Sequence, residues 1–104
     1  MDLGGLGEII ASRMLYVLDE EGNKRPVSVL ISKPEPALDA HGYECSYQII
    51  GLGSQETQVA RGGDSVQALQ AAMVLVGANL HQMNHEVGGR LVWTGATKGD
   101  LGFP

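Results

Sequence analysis

Residues 64–87 read DSVQALQAAMVLVGANLHQMNHEV, and this stretch decides the fold. On a helix of 3.6 residues per turn, its large apolar side chains form one stripe about 100° wide. The stripe consists of Val66, Leu69, Met73, Val76, Leu80, Met83 and Val87. Asp64 followed by Gln67 is typical of a helix start, and Gly88 with Gly89 predicts its end. The side chains predicted to be most buried are Leu69, Met73, Val76, Leu80 and Met83.

Four segments before this helix predict β-strands, at residues 8–18, 26–32, 43–50 and 56–61. The clearest is 43–50, in which an apolar face alternates with a more polar one. That apolar face is formed by Tyr43, Cys45, Tyr47 and Ile49. The last segment is mostly polar, with Val59 as its main apolar residue, which suits an edge strand. Residues 8–14 also fit a helical turn, so their pattern leaves strand and helix open.

Strands followed by a helix, without alternation of the two, predict an α+β fold. We expect two layers, with an antiparallel sheet of about four strands in a meander. One long C-terminal helix packs on one face of the sheet, and residues 90–93 form a short return segment. A length of 104 residues allows one domain. We place it at residues 8–104, after a Gly-rich lead-in at 1–7.

Composition and charge exclude several classes of protein. Twelve acidic and seven scattered basic residues give a net charge of −5, so no cationic surface for nucleic acid is expected. The chain lacks a signal-peptide pattern and a membrane-spanning apolar run. The lone cysteine, Cys45, cannot form an internal disulfide, which fits a reducing compartment. We therefore expect a cytoplasmic protein with no nucleic-acid or membrane partner, and acidic charge favours a basic protein partner.

No catalytic or cofactor motif stands out. Cys45 lies beside Glu44, whose charge would raise the pKa of the thiol, so a nucleophilic pair with His41 is disfavoured. The glycines at 61–65 and 51–56 lack the spacing of phosphate or dinucleotide loops. We expect no catalytic residue and no cofactor, and the sequence favours a protein without enzymatic activity.

His81 and His85 are the weak metal candidates. They stand one helical turn apart, a spacing that presents two imidazoles to one ion. The His-Glu-x-x-His zinc motif is absent, and no third ligand has convincing spacing. Histidines in the last turns also interact favourably with the negative end of a helix. The sequence therefore favours solvent-exposed histidines and no metal site.

The helix carries more apolar surface than one stripe requires. A second set with helical spacing lies away from the main stripe, where polar residues are expected. We predict that this face is covered, either by aromatic residues of the C-terminal tail or by another protein chain. The residues of the predicted interface are Ala71, Val74, Leu75, Ala78, Trp93 and Phe103.

The tail from Trp93 to Pro104, which ends Asp-Leu-Gly-Phe-Pro after a long Ala-rich helix, carries a resemblance. From about Arg13 onward the chain resembles a group of small, functionally uncharacterised bacterial single-domain proteins. The resemblance implies a bacterial source and no known activity.

Three functions remain open. The leading hypothesis is a small intracellular protein-interaction module, of an immunity or antitoxin type that masks a basic partner. This rests on the acidic charge and the surplus apolar helix face, and it is an analogy at the level of the fold. The second is a small-molecule-binding or enzymatic domain, with Tyr43, Tyr47, His41 or Glu44 in a pocket between sheet and helix. The third is a structural homodimer.

Overall fold

The computed structural model describes residues 6–39, 41–93 and 100–104. These residues form the strands β1 (Ile9–Leu18), β2 (Lys24–Ser32), β3 (Glu35–Pro36), β4 (Tyr43–Ile50), β5 (Gln58–Gly62) and β6 (Leu91–Val92), and the helix α1 (Ser65–Glu86). The predicted lead-in at residues 1–7 lies mostly outside the described residues. The extent of the domain over residues 8–104 stays a prediction.

The α+β class and the antiparallel sheet are confirmed. The four predicted strands β1, β2, β4 and β5 pair in chain order, as a meander does. The prediction of about four strands was incomplete, because two-residue strands bring the described sheet to six. Strands β2 and β3, which Lys33 and Pro34 separate, both pair with β4. Strand β6 is the predicted return segment, and it pairs with β1. The helix is not at the end of the chain, since β6 and residues 100–104 follow it.

Residues 8–14, which the pattern left open, are strand from Ile9 onward. Strand β1 connects to β2 through a tight turn held by the Asp19 carboxylate. Its Oδ1 accepts hydrogen bonds from the backbone N–H groups of Asn23 at 2.8 Å and Glu21 at 2.9 Å. These bonds, that of Asn23 foremost, lower the pKa of Asp19. Gly22 supplies the positive φ of 84° that the turn requires.

The caps of α1 are those that the sequence predicts. Asp64 Oδ1 accepts a hydrogen bond from the Gln67 N–H at 2.8 Å, and the Gln67 side chain accepts one from the Gly63 N–H. At the other end Gly88 and Gly89 adopt positive φ angles of 72° and 79°. Their N–H groups satisfy carbonyl groups of the last helical turn. These hydrogen bonds therefore satisfy part of the backbone groups that a helix terminus leaves free.

The core lies between α1 and one face of the sheet. The helix packs chiefly on β4 and β5. The sheet contributes the alternating apolar side chains of its strands, including Leu15, Val17, Val27, Val29, Ile31, Cys45, Tyr47 and Ile49. The predicted common face of Tyr43, Cys45 and Tyr47 is thereby confirmed, with Tyr43 half-buried at its end.

The predicted helix stripe is only partly correct. Val76 and Leu80 are fully buried, but Leu69, Met73 and Met83 are half-buried, and Val66 is 62% exposed. Instead Ala68 and Ala72 are fully buried on the sheet side. The reason is a close approach, because a Cβ added to Gly62 would overlap the backbone of Ala68. Small side chains let the helix lie near β5, and this rotates the larger ones toward its flanks.

Candidate functional site

The second apolar face of α1 lies at the surface. Val74 is 52% and Leu75 is 41% exposed, Ala78 is exposed and Ala71 is half-buried. Burying such side chains stabilises a protein by about 25 cal/mol per Å² of apolar surface. Contact with another chain that buries these apolar side chains would therefore be favourable.

The edge of the sheet lies beside this helix face. Strand β5 pairs with β4 on one side, and its other edge pairs with no strand within the part of the chain that the structure describes. Val59 on this edge is 48% exposed. The edge and the helix line a shallow cleft of about 600 Å³. We name it the β5–α1 surface, defined by Val59, Ala60, Ala71, Val74 and Leu75, with Arg61, Gln67 and Gln70 also lining it.

The charge of the β5–α1 surface is low. Arg61 Nη2 lies 2.7 Å from Glu44 Oε2, which is the ion pair found among the described residues. The two residues are cross-strand neighbours on β5 and β4. The other polar side chains that line the cleft are the uncharged Gln67 and Gln70. The surface is therefore apolar with a nearly neutral rim, although the chain as a whole is acidic.

Trp93 and Phe103 belong to a different site. The Arg13 guanidinium carbon lies 3.9 Å from the centre of the Trp93 ring and 4.9 Å from that of Phe103. Arg13 Nη1 also donates a hydrogen bond to the Gly102 carbonyl at 2.7 Å and a longer one to the Leu101 carbonyl at 3.4 Å. We call this arrangement the tail clamp. It binds the end of the chain to β1 through one side chain.

The tail clamp places the tail on the flank of α1 opposite Val74 and Leu75. A Cβ added to Gly77 would come within 3.1 Å of Phe103 Cβ and 2.8 Å of the Pro104 carbonyl oxygen. Leu101 is buried in the core. Trp93 and Phe103 therefore do not cover Val74 and Leu75, contrary to one of the two coverings that the sequence predicted. Contact with another chain stays a prediction.

The sequence contains an indication that Arg13 belongs to a site, although Arg13 was not among the predicted site residues. Arg13 shares its strand face with Leu15 and Val17, which are buried. A charged side chain on the same strand face as buried residues needs partners inside the fold, because burying a charge without a partner is costly. Its partners lie almost ninety residues away, so local spacing does not identify them.

The residues proposed for a small-molecule pocket are not brought together. Tyr47 lines a half-open cavity of about 200 Å³ beside α1, and its hydroxyl accepts a hydrogen bond from Asn79 Nδ2 at 2.7 Å. Burial raises the pKa of Tyr47, and the Asn79 hydrogen bond lowers it by less. Glu44 pairs with Arg61, and His41 is exposed. The cavity is smaller than the roughly 300–1,000 Å³ of ordinary ligand sites.

Cys45 is a buried free thiol on β4. Its Sγ donates to the Ser32 carbonyl at 3.3 Å, and burial raises its pKa. A raised pKa keeps the sulfur protonated at neutral pH, which opposes nucleophilic chemistry.

His81 and His85 are exposed on the last turns of α1. Within the described residues, no group of three or more His, Cys, Asp or Glu side chains is arranged to hold a metal ion. Nor does any helix there combine the length and the apolar character that crossing a bilayer requires.

Comparison with known families identifies the family of this chain. A family model described as DUF6968, a domain of unknown function, matches residues 11–104, and the chain therefore belongs to this family. Neither the curated proteins nor the solved structures contain a match. The family agrees with the resemblance to uncharacterised single-domain proteins, whereas the bacterial source and a diagnostic role for the tail motif stay predictions.

Proposed function

We propose that this member of the DUF6968 family is a protein-interaction module that binds its partner at the β5–α1 surface. One observation carries the proposal, namely that the open edge of β5 lies directly beside the exposed Val74 and Leu75. An edge strand offers backbone hydrogen bonds to an added strand, and neighbouring apolar side chains supply hydrophobic contact.

Among residues 6–39, 41–93 and 100–104, the β5 edge lacks most of the features by which proteins protect such strands. Pro, clustered charges and covering segments normally prevent unwanted pairing. Strand β5 has the sequence Gln-Val-Ala-Arg-Gly, with one charge, which Glu44 neutralises. Its short length of five residues limits aggregation but still allows several backbone hydrogen bonds. An edge of this kind is suited to a specific partner.

A finer proposal is that the partner is basic and that the chain masks it, as immunity proteins and antitoxins do. Its support is the net charge of −5. The local charge favours it less, because Arg61, Gln67 and Gln70 surround the cleft. A basic partner would have to reach carboxylates outside the cleft lining, such as the exposed Glu56 before β5 and the exposed Asp64 after it.

Site-specific photo-cross-linking in the native host tests the proposal. A benzophenone amino acid is placed at Leu75 or at Val59, and the control carries it at Leu38, a fully exposed leucine outside the β5–α1 surface. We expect both test positions to form an adduct with the same protein and the control to form none. The adduct from Val59 should disappear when Leu75→Glu is added, because an unpaired carboxylate resists burial. Equal labelling from Leu38, or no adduct from either test position, would rule the surface out.

A further inference from the structure

We propose that the partner at the β5–α1 surface is a second copy of this chain. The two β5 strands pair antiparallel about a two-fold axis near Ala60, and the two α1 helices pack side by side. The two sheets thereby become one continuous sheet with both helices on the same face. This inference rests on the proposed function and specifies its partner.

The backbone edge is suited to self-pairing. Antiparallel pairing of two identical strands obeys two-fold symmetry, so the same patch serves on both subunits. With the axis at Ala60, Val59 of each copy stands opposite Arg61 of the other, and Gln58 stands opposite Gly62. The aliphatic part of the Arg61 side chain then covers Val59, which is half exposed in the single chain. This register places no like charges directly opposite each other.

The position of the helix is the strongest geometric argument. Helix α1 lies over β4 and β5, and neighbouring strands lie about 4.8 Å apart. Joining two copies at β5 therefore puts the two helix axes two strand spacings apart, roughly 9.6 Å. Packed helices have interaxial distances of about 8–10 Å. The strand pairing and the helix packing thus require the same separation, and Val74 and Leu75 lie on the flank that faces the second helix.

The charge of the surface also favours a copy over a basic partner. Each chain carries −5, yet the side chains that line the cleft include no carboxylate, so the cleft itself brings no pair of negative charges together between the copies. A tightly bound basic protein would instead be expected to meet carboxylates around the apolar centre. In the described rim the carboxylate of Glu44 is already paired with Arg61.

The available area fits a modest dimer. The 22 residues of α1 extend about 33 Å along the surface. With a width of roughly 20 Å for a helix flank and a strand edge, each copy would bury about 650 Å². Standard interfaces bury about 800 Å² per partner, so this dimer should dissociate on dilution.

Sedimentation velocity of the full chain over a wide concentration range tests the proposal. We expect the mass to rise from that of one chain to about twice 11.0 kDa as concentration increases. Leu75→Glu should remain a monomer throughout, and the matched variant Leu38→Glu should dimerise like the wild type. Circular dichroism checks that both variants are folded. A wild-type chain that stays monomeric, or a folded Leu75→Glu that dimerises normally, would overturn the proposal.

Disulfide trapping provides a second readout that does not depend on Leu75→Glu folding. In a Cys45→Ala background, Leu75→Cys should form a covalent dimer under mild oxidation, whereas Leu38→Cys should not. Equal trapping at both positions, or none at Leu75→Cys, contradicts side-by-side helices. The purified chain could be monomeric in both experiments while photo-cross-linking in the host identifies a different protein. In that case the partner is not a second copy, but the β5–α1 surface is still the binding site.

Discussion

Replacing Arg13 tests the tail clamp, the contact that joins the two ends of the described chain. Arg13→Ala removes two cation–π contacts and a hydrogen bond of 2.7 Å to the Gly102 carbonyl. Each cation–π contact at a partly exposed site contributes about 0.5–1 kcal/mol. A hydrogen bond from a charged donor contributes about 1.5–3 kcal/mol. Because Arg13 is only half-buried, we take the lower ends of these ranges and expect a loss of about 2.5 kcal/mol in the free energy of unfolding.

Urea denaturation followed by circular dichroism measures this loss, and fluorescence measures the clamp itself. The chain has one tryptophan, Trp93, so its emission reports directly on the ring that Arg13 covers. We expect a changed native-state emission in Arg13→Ala, and Arg13→Lys should recover less than half of the stability because an ammonium cannot stack as a planar fork does.

The control is Arg25→Ala, which removes an exposed arginine from β2. Surface substitutions of this kind usually change stability by less than about 0.5 kcal/mol. If Arg13→Ala is no more destabilised than Arg25→Ala and leaves the emission of Trp93 unchanged, the tail clamp does not stabilise the fold.

Three further predictions concern the core, the tail and pH. Leu80→Ala should cost about 2–5 kcal/mol in urea denaturation because Leu80 is fully buried, and a cost below 1 kcal/mol would contradict two-layer packing. Gly102→Ala should destabilise more than Gly88→Ala, since both have positive φ but only the first would overlap neighbouring side chains; equal losses would argue against the tail clamp. Burial raises the pKa of Cys45 and of Tyr47 above their ordinary values, so each group ionises less readily in the folded chain than in the unfolded chain. The free energy of unfolding should therefore fall as pH rises above about 9, and a flat profile to pH 10.5 would oppose this.

The local patterns predicted the elements of the fold well. Alternation placed β4 correctly, and the capping residues placed both ends of α1. Strands β3 and β6 have two residues each, which is too short for alternation to be visible. The rotation of α1 depends on the close approach of Gly62 to Ala68, a tertiary contact that helical periodicity does not encode.

The sequence identified only part of the candidate surface, because local spacing does not encode tertiary contacts. The helical spacing of Val74 and Leu75 identified an apolar face beyond the core stripe, and both side chains are exposed. Spacing gives the direction of a side chain but not its contacts across the fold. Trp93 and Phe103 were predicted as a possible cover for this face because they are the aromatic residues of the tail, whereas Arg13 holds them on the other flank of α1.

Hydrogen exchange at the backbone amides of β5 tests binding at the β5–α1 surface most directly. In an edge strand, alternate N–H groups point to the neighbouring strand and the others to solvent. We predict that all amides of Gln58–Gly62 are protected in the associated protein, and that Leu75→Glu restores rapid exchange at alternate positions. Rapid exchange at alternate amides of the wild-type chain, under every condition in which it associates, would show that no strand pairs with the free edge of β5.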